Sequence, residues 1–251
     1  MKNDFLGWRA SDYNANNYIN SINKFLSSEQ LFSNFRQPDE GYNAILEHVN
    51  IQQAEIYSKT IKNLYPNLLS KIEKFKKNDL IGNPLFFYDN DFGPISPTTL
   101  RYIKFAGDIQ FNFQDLNDFH LIEIGGGYGG LVRILTDIFN FKSITMVDLK
   151  QPLNLQEKYL NKFDIKIIKK TIEEDFEIEK NTLIISNYAW CECDAKTRKE
   201  YLNKIINKCK YAFMAIHDVN VQHLIDELKS EDSNASFIKD VVCETPIYIK
   251  K

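Results

Sequence analysis

The sequence predicts an α/β protein in which a doubly wound, mostly parallel sheet follows an N-terminal helical extension. An apolar strand runs directly into a glycine-rich turn and then into an apolar helix at residues 121–139. From residue 120 onward, short apolar segments alternate with amphipathic ones, as they do in sheets whose parallel strands are joined by helices. Residues 20–80 instead repeat apolar side chains at helical spacing. These observations divide the chain into an extension, residues 1–95, and a sheet domain, residues 96–251.

The extension is expected to consist of helices followed by a loop. Pro66 marks a helix start, and three prolines and two glycines within residues 82–97 argue against any regular element there. Thr98 and Thr99 are then expected to cap a helix at 100–106. The apolar faces of the two main helices are predicted to comprise Tyr42, Ile45, Leu46, Val49, Gln53, Ile56 and Tyr57 on the first, and Ile61, Leu64, Leu68, Leu69, Ile72 and Phe75 on the second.

The sheet domain is expected to alternate strands and helices and to end in a hairpin. Strands are predicted at 120–124, 143–148, 165–168, 182–188 and 211–217. Helices are predicted at 130–139, 153–163, 195–207 and 221–228. Two final strands, 237–243 and 246–249, have little sequence between them, so they are expected to pair as an antiparallel hairpin at one edge of the sheet.

Composition and charge exclude several classes of protein. The chain has 251 residues, 43% of them apolar and 26% charged, and its net charge of −3 gives no general attraction to nucleic acid. No apolar run reaches the ~18–20 residues of a membrane span, and the first residues lack the apolar stretch of a signal peptide. Four cysteines without framework spacing predict reduced thiols, and the Cys191-x-Cys193 pair has no second pair to complete a metal site. A cytoplasmic protein without a nucleic-acid partner is therefore expected.

The glycine-rich turn predicts a nucleotide-type cofactor site. Glycines allow the backbone to turn tightly and to approach a ligand more closely than a Cβ permits. The spacing Gly125-x-Gly127-x-x-Gly130 satisfies the dinucleotide fingerprint, yet Glu123, two residues before the first glycine, gives the alternative pattern E-x-G-x-G-x-G. Asp148, at the end of the next predicted strand, can accept hydrogen bonds from both hydroxyls of a ribose. Both interpretations place a nucleoside between the turn and Asp148.

Three stretches carry a resemblance to a known family: residues 95–102 (I-S-P-T-T-L-R-Y), 122–130 (I-E-I-G-G-G-Y-G-G) and 185–192 (I-S-N-Y-A-W-C-E). From about residue 80 to the C-terminus, the chain resembles the bacterial sugar O-methyltransferases of capsule and surface polysaccharide synthesis, which are class I S-adenosyl-L-methionine-dependent methyltransferases. The resemblance implies a Rossmann-like methyltransferase fold, S-adenosyl-L-methionine as cofactor, and a small acceptor: a sugar, a nucleotide-sugar or a phosphorylated precursor. It also implies that Glu123 orients the glycine turn near the methionine amino group.

The cofactor is expected to contact residues from the sheet edge and from the 95–102 stretch. Tyr128 is predicted to pack beside it, and Arg101 to bind either its methionine carboxylate or an anionic acceptor. Asn187 and Tyr188 are predicted to contact the cofactor or the acceptor. The full set of expected cofactor-binding residues is Glu123, Gly125, Gly127, Tyr128, Gly129, Asp148, Asn187, Tyr188, Thr99 and Arg101.

A general base is expected because a sugar hydroxyl is a poor nucleophile. His217, after the fifth predicted strand, is the first choice because imidazole titrates near neutral pH, with Asp218 or another carboxylate to orient it. Glu192, after the fourth strand, is the competing candidate. Both lie where the carboxyl ends of parallel strands form a ligand crevice.

Other functions remain compatible with the same residues. A methyltransferase for an anionic acceptor, such as a capsular phosphoramidate or phosphorylated precursor, would cluster basic side chains around Arg101. A NAD-dependent oxidoreductase would use the same glycines, and a non-catalytic member would lack a base within reach of the methyl group. The sequence leaves open the acceptor, a metal requirement and a homo-oligomer.

Overall fold

The structure, a computed structural model, describes residues 12–38, 47–217, 221–232, 234 and 236–251, with side chains from residue 17 onward. Its strands form a short hairpin and one large sheet. The hairpin pairs β1, Phe87–Asp89, with β2, Gly93–Ile95. The strands of the large sheet are β3, His120–Ile124; β4, Ser143–Val147; β5, Ile168–Lys170; β6, Thr182–Asn187; β7, Tyr211–Ala215; β8, Ser236–Lys239; and β9, Pro246–Lys250.

The seven strands of the sheet lie in the order β5-β4-β3-β6-β7-β9-β8. The first five are parallel, whereas β9 runs antiparallel to β7 and β8 runs antiparallel to β9. From β3 the chain winds outward to β5 and then returns to β6 on the other side of β3, so the winding switches between β3 and β6. In such sheets, ligands bind beyond the carboxyl ends of the strands at the switch point. The predicted doubly wound α/β class and the final antiparallel hairpin are confirmed.

Helices build the extension and cover the two faces of the sheet, where separate apolar clusters form the core. No helix in the described ranges is long and apolar enough to cross a lipid bilayer. Those of the extension are α1, Asp12–Leu26; α2, Glu29–Phe32; α3, Ile51–Leu64; and α4, Ile72–Phe75, with 3₁₀ turns at Pro66–Lys71 and Lys76–Leu80. Those of the sheet domain are α5, Pro97–Phe113; α6, Gly130–Leu135; α7, Lys150–Leu160; α8, Ala189–Glu192; α9, Ala195–Lys204; and α10, Val221–Glu231, with 3₁₀ turns at Asn161–Phe163 and Ile206–Lys208.

The third strand of the sheet domain begins three residues later than predicted. Ile165 and Ile167 pack against the core before the strand begins, whereas Ile168 pairs with Thr145 of β4 and is exposed. Apolar residues that serve the core from irregular backbone therefore imitate a strand in the sequence. The other predicted strands and helices of this domain are present, with ends that differ by several residues.

The prediction of an irregular loop over residues 82–97 is wrong, because this segment contains the β1–β2 hairpin. The Asp89 carboxylate closes the turn by accepting the backbone N–H groups of Asp91 and Phe92 at 2.8 and 3.0 Å. A two-stranded ribbon leaves one side of each strand unpaired, so it tolerates Pro94 where the interior of a large sheet would not.

The predicted threonine caps of the following helix are also wrong. Ser96 is the N-cap of α5, and its hydroxyl accepts the backbone N–H of Thr99 at 3.4 Å. Pro97 then occupies the first helical position, where its fixed φ fits and no N–H is needed.

Helix α3 begins at Ile51, later in the chain than the first residues of the apolar face predicted for it. Asn50 caps α3 through a reciprocal capping box with Gln53, at 2.9 and 3.1 Å. Of that face, Tyr57 is buried, but Ile56 is 42% exposed, so its assignment to the core is wrong. Tyr42, Ile45 and Leu46 lie outside the described residues.

The extension and the glycine turn meet at a buried guanidinium. Arg36 is 1% exposed and bonds to the carboxylates of Glu47 and Asp79 at 2.6 and 3.0 Å and to the hydroxyl of Ser96 at 2.7 Å. Its guanidinium carbon lies 4.9 Å from the ring centre of Tyr128, inside the glycine turn. Apolar residues of both parts belong to one core cluster. The boundary between residues 95 and 96 stays a prediction.

We expect Arg36→Met to lower the free energy of unfolding by about 3–5 kcal/mol, because it leaves two buried carboxylates without their cation. Urea denaturation followed by circular dichroism measures the change. Lys239→Met is the control, because Lys239 and Glu244 form an ion pair whose side chains are 65% and 77% exposed. Equal effects of the two substitutions would contradict a stabilising role for the buried guanidinium.

Candidate active site

The glycine turn follows β3 at the predicted place and is built on left-handed backbone. Gly125, Gly127 and Gly129 have φ values of 68°, 58° and 92°. A Cβ on Gly125 would collide with that of Ala189, and one on Gly126 would collide with the Met146 methyl group. The turn is closed by the N–H of Gly125 on the Val147 carbonyl at 2.9 Å and by the N–H of Gly129 on the Gly126 carbonyl at 2.8 Å. The glycines are therefore required by the fold of the turn itself.

Glu123 lies directly beneath this turn as a buried carboxylate. Its side chain is 2% exposed, and its Oε2 atom has no hydrogen-bond partner among the described residues. The same atom is 2.9 Å from the position of a Cβ on Gly126. Burial, and secondarily the charge of Asp148, raises the pKa of Glu123 to about 8. A cation placed beside the turn would therefore be held strongly by this carboxylate.

Asp148, the second predicted acid, follows β4 at the same edge of the sheet. Its Oδ1 accepts the backbone N–H of Leu149 at 2.8 Å, and its Oδ2 accepts the Nε2 of Gln156 at 2.8 Å. Burial raises the pKa of Asp148 to about 6, although both hydrogen bonds favour the ionised form. The carboxylate is thus held in a fixed plane at the end of its strand.

Gln156, on α7, was not identified from the sequence. Its side chain is fully buried, and its Nε2 donates to the Gly127 carbonyl at 3.1 Å as well as to Asp148. The available signal was its position, because it stands on the buried face of a helix between Leu153 and Tyr159. A polar residue at an apolar position of a helix needs a partner.

The Tyr128 side chain points away from the sheet edge, whereas the sequence predicts it beside the cofactor. Its ring is fully buried and packs edge-on against Phe35, Tyr102 and Tyr159 at centroid distances of 5.4, 5.8 and 4.9 Å. Asn78 donates to its hydroxyl at 3.3 Å. These aromatic contacts anchor the glycine turn to the core, and a direct contact between Tyr128 and the cofactor stays a prediction.

Thr99 is also engaged with the extension. Its hydroxyl donates to Asp79 at 2.6 Å and accepts from Asn78 at 3.2 Å, and its side chain is fully buried. These bonds belong to the same network as Arg36. The structure therefore gives Thr99 a place behind the turn, and a direct contact with the cofactor stays a prediction.

Arg101, two residues further along α5, lies among basic and aromatic side chains. Its Nη1 is 3.1 Å from the Nε2 of His48, and its guanidinium carbon is 5.5 Å from the ring centre of Tyr102. Burial lowers the pKa of Arg101, but the nearby Tyr102, and after it Tyr57 and Tyr188, raise that pKa above its ordinary value. The guanidinium therefore remains charged beside the end of β6.

Asn187 ends β6 at the switch point with unsatisfied polar atoms, and Tyr188 follows it. Both polar atoms of the Asn187 amide are buried without a hydrogen-bond partner among the described residues, whereas the Tyr188 hydroxyl interacts with the Thr245 side chain. Tyr188 adopts φ 70°, an unusual conformation for a bulky residue, and its N–H donates to the Ala215 carbonyl at 2.9 Å. Unsatisfied donors and acceptors at the carboxyl end of a strand point to the polar groups of a ligand.

His217 and Glu192, the two candidate bases, form a pair. The Nε2 of His217 lies 3.2 Å from the Oε1 of Glu192, and the two side chains are 36% and 35% exposed. The His217 ring packs edge-on against Tyr188 with 5.0 Å between ring centres. Asp218 lies outside the described residues, and Glu192 is the carboxylate that orients the imidazole.

A helix of the extension also reaches this edge of the sheet. Tyr18, on α1, is half-buried against the core, and the negative charges of Asp148 and Glu192 are among the causes that raise the pKa of its hydroxyl well above the ordinary value, after burial itself. The hydroxyl therefore lies within electrostatic reach of both acids. No local pattern in the sequence predicts this proximity, because it depends on how the extension packs on the sheet domain.

Other candidate sites have weaker chemistry. Burial raises the pKa of the Cys191 and Cys193 thiols to about 12, so both remain protonated, and the described residues contain no cluster of ligands able to hold a metal ion. A surface cavity of about 480 Å³ on the extension is lined by Lys62, Leu69, Ile72, Glu73, Asp91 and Phe92. Lys62 and Asp91 pair across it at 2.6 Å, so it presents no unsatisfied polar group comparable with those at the sheet edge.

No family model matches the chain, and no curated protein matches its sequence. Solved structures share its chain path. A Thermoplasma acidophilum protein aligns with a TM-score of 0.46 and 12% identity over 74% of this chain and 96% of its own. Ribosomal protein L11 methylase from Lactobacillus delbrueckii subsp. bulgaricus aligns with a TM-score of 0.46 and 12% identity. This alignment covers 61% of the present chain and 79% of the methylase. An rRNA methylase from Streptococcus thermophilus aligns with a TM-score of 0.44 and 16% identity. This alignment covers 57% of the present chain and 93% of the methylase.

At these identities and TM-scores the likeness concerns the fold alone, so the function has to come from the residues of the site. The expectation that this chain has no nucleic-acid partner stays a prediction.

We expect Glu123→Gln to stabilise the ligand-free protein at pH 8, by about 1–3 kcal/mol, and to have little effect at pH 5. The folded-state pKa of about 8 exceeds the ordinary value of 4.5, so stability falls as the pH rises between these values. The neutral amide removes that penalty. Thermal unfolding at both pH values measures it, with the exposed Glu177→Gln as control. An effect independent of pH would contradict a buried, uncompensated carboxylate.

Proposed function

We propose that the chain is an S-adenosyl-L-methionine-dependent O-methyltransferase that acts on a sugar or sugar-like intermediate of bacterial capsule or surface polysaccharide synthesis. The observation that carries the proposal is the pair of acids at the glycine turn. Glu123 lies beneath the turn and Asp148 beside it, and no basic side chain of the described residues hydrogen-bonds to either. A ligand that offers both a positive charge and a diol would satisfy the two carboxylates.

S-Adenosyl-L-methionine fits this arrangement. Its ammonium and sulfonium groups are cationic, and its ribose carries two hydroxyls. Glu123 would hold the ammonium group, Asp148 would accept the ribose hydroxyls, and the glycine turn would allow close backbone approach. The cofactor supplies an electrophilic methyl group when it is bound.

The same charges disfavour the NAD alternative. A dinucleotide places a doubly negative pyrophosphate on the glycine turn, where backbone N–H groups and positive potential are needed. Here the group directly beneath the turn is the Glu123 carboxyl, which would either repel the pyrophosphate or remain protonated. Asp148 alone is compatible with both cofactors, so Glu123 is the residue that discriminates between them.

The His217–Glu192 pair supports proton removal from a hydroxyl acceptor. The Nε2–H of His217 would donate to the Glu192 carboxylate, so the Nδ1 would take the proton as the acceptor oxygen attacks, and the carboxylate would stabilise the resulting imidazolium. Asn187 would position the acceptor through the polar atoms of its amide, which have no partner among the described residues. In-line attack requires such positioning, because the nucleophile must approach along the axis of the leaving sulfur.

A second candidate is a methyltransferase for an anionic acceptor, such as a phosphorylated precursor. The observation in its favour is the buried Arg101 guanidinium near Tyr188, with His48 at 3.1 Å. A nucleic-acid acceptor is not proposed, because the net charge is −3.

We expect calorimetric titration to detect S-adenosylhomocysteine binding and no NAD binding. Asp148→Ala should weaken S-adenosylhomocysteine binding by about 1–3 kcal/mol, because hydrogen bonds to a charged group are lost. The exposed Asp175→Ala is the matched control. Binding of NAD without binding of S-adenosylhomocysteine would refute the methyltransferase proposal.

We expect methyl transfer to be detected as release of S-adenosylhomocysteine in a panel of neutral glycosides, nucleotide-sugars and sugar phosphates. With the acceptor found, His217→Ala should lower kcat about 10²- to 10⁴-fold with unchanged cofactor affinity, and Glu192→Gln should have a smaller effect. The reverse order would make Glu192 the base. Transfer to phosphorylated compounds alone would favour the anionic acceptor, and normal turnover of both variants would leave neither as base.

A further inference from the structure

A single buried amide joins the two halves of the proposed cofactor site. The Nε2 of Gln156 donates one hydrogen to the Gly127 carbonyl at 3.1 Å and the other to the Asp148 carboxylate at 2.8 Å. The side chain is fully buried on α7. The glycine turn after β3 and the acid after β4 are therefore connected through one group that belongs to neither strand.

The orientation of this amide is dictated by its partners. A flipped amide would turn Oε1 toward a carbonyl and a carboxylate, which offer only lone pairs. In the orientation present, Oε1 of Gln156 is buried and has no hydrogen-bond partner in the described part of the chain. A leucine or methionine would fill this position on the helix without that cost, so packing alone does not account for a glutamine here.

The consequence for Asp148 is geometric. A carboxylate offers about four lone-pair sites. In Asp148 one site on Oδ1 is taken by the N–H of Leu149 and one on Oδ2 by Gln156, which fixes the plane of the carboxylate. One site on each oxygen remains, which is the arrangement that two vicinal hydroxyls require.

The consequence for the turn is similar. Gly127 has a left-handed backbone, and the direction of its carbonyl sets the direction of the peptide N–H groups that follow. The hydrogen bond from Gln156 holds that carbonyl in place. Loss of this bond would allow the turn and the acid to move independently.

We propose that Gln156 is a positioning residue for the cofactor, which fixes the Asp148 carboxylate and the glycine turn in the relative geometry that binds the nucleoside. This inference rests on the proposed function, since it names a determinant of the same site. Gln156 touches neither the reacting atoms nor the acceptor base. Its contribution is to the selectivity for a ribose with both hydroxyls and to the pH range over which the nucleoside binds.

Several titratable groups face Asp148, and their effects on the pH dependence of binding have to be distinguished from the effect of Gln156. Glu123 comes from β3, Tyr18 from α1, and Cys193 and Tyr201 from the segment after β6. Glu123 is the main complication, because it would bind the ammonium group of the complete cofactor. A probe without that group, 5′-methylthioadenosine, reports on the ribose and adenine contacts alone.

The experiment compares the wild type with Gln156→Met, which keeps the volume and removes both hydrogen bonds. For the wild type, 5′-methylthioadenosine should bind less well as the pH falls through about 6, where Asp148 becomes protonated. Gln156→Met should weaken binding about 5- to 30-fold at pH 7 and move the midpoint upward by about half to one pH unit, because the lost hydrogen bond favoured the ionised carboxylate. Its preference for adenosine over 2′-deoxyadenosine should also decrease.

Two further variants separate positioning from stability. Leu155→Ala removes a buried side chain at the neighbouring position, so it should lower the Tm without moving the pH midpoint or the adenosine preference. Gln156→Glu keeps the shape but brings a second acid to Asp148, so it should move the midpoint upward even if Gln156→Met does not fold.

The outcomes distinguish the inference from the function on which it rests. An unchanged midpoint and an unchanged adenosine preference in both Gln156 variants would overturn the positioning role while leaving the methyltransferase intact. A wild-type protein that binds neither S-adenosylhomocysteine nor 5′-methylthioadenosine would overturn the proposed function instead.

Discussion

The proposed cofactor site depends on a carboxyl group that is held out of water beneath a glycine-rich turn. Glu123 is the penultimate residue of β3 and is buried, and the adjacent strand brings Asp148 close enough to raise the pKa of Glu123 further. Burying two acids together costs free energy, and that cost persists only where function requires it. The two carboxyl groups therefore make the carboxyl end of the strands selective for positive charge. A cation there lowers the free-energy cost of burying the acids, and an anion increases it.

Much of this could be derived from the sequence because the determinants are local. The strand, the glycines, the helix and the second strand follow one another within about thirty residues. Once the α/β pattern is recognised, this spacing predicts the positions of Glu123, Gly125, Gly127 and Asp148 in the fold. Parallel strands also end at the same edge, which is why His217 could be placed near the site without any knowledge of its contacts.

The remainder depends on contacts between distant parts of the chain. The pairing of His217 with Glu192 and the approach of Tyr18 follow from packing, which no local pattern encodes. The position of Tyr128 within the glycine turn predicts a place beside the cofactor, yet Phe35 of the extension and Tyr159 of the sheet domain pack against its ring, which is fully buried. The hairpin at residues 87–95 was missed because proline and glycine signal a turn but do not say whether strands flank it.

The contact between Arg36 and Tyr128 has a consequence for how this protein can be altered by recombination. The guanidinium arrives from one end of the chain, its carboxylate partner Asp79 from a second segment, and the ring from within the turn. Replacing α1, α2 and the segment that carries Arg36 with those of another protein would separate these groups. The Asp79 carboxylate would then remain in the interior without its cation. The helices that precede the sheet therefore have to be kept together with it when the protein is recombined.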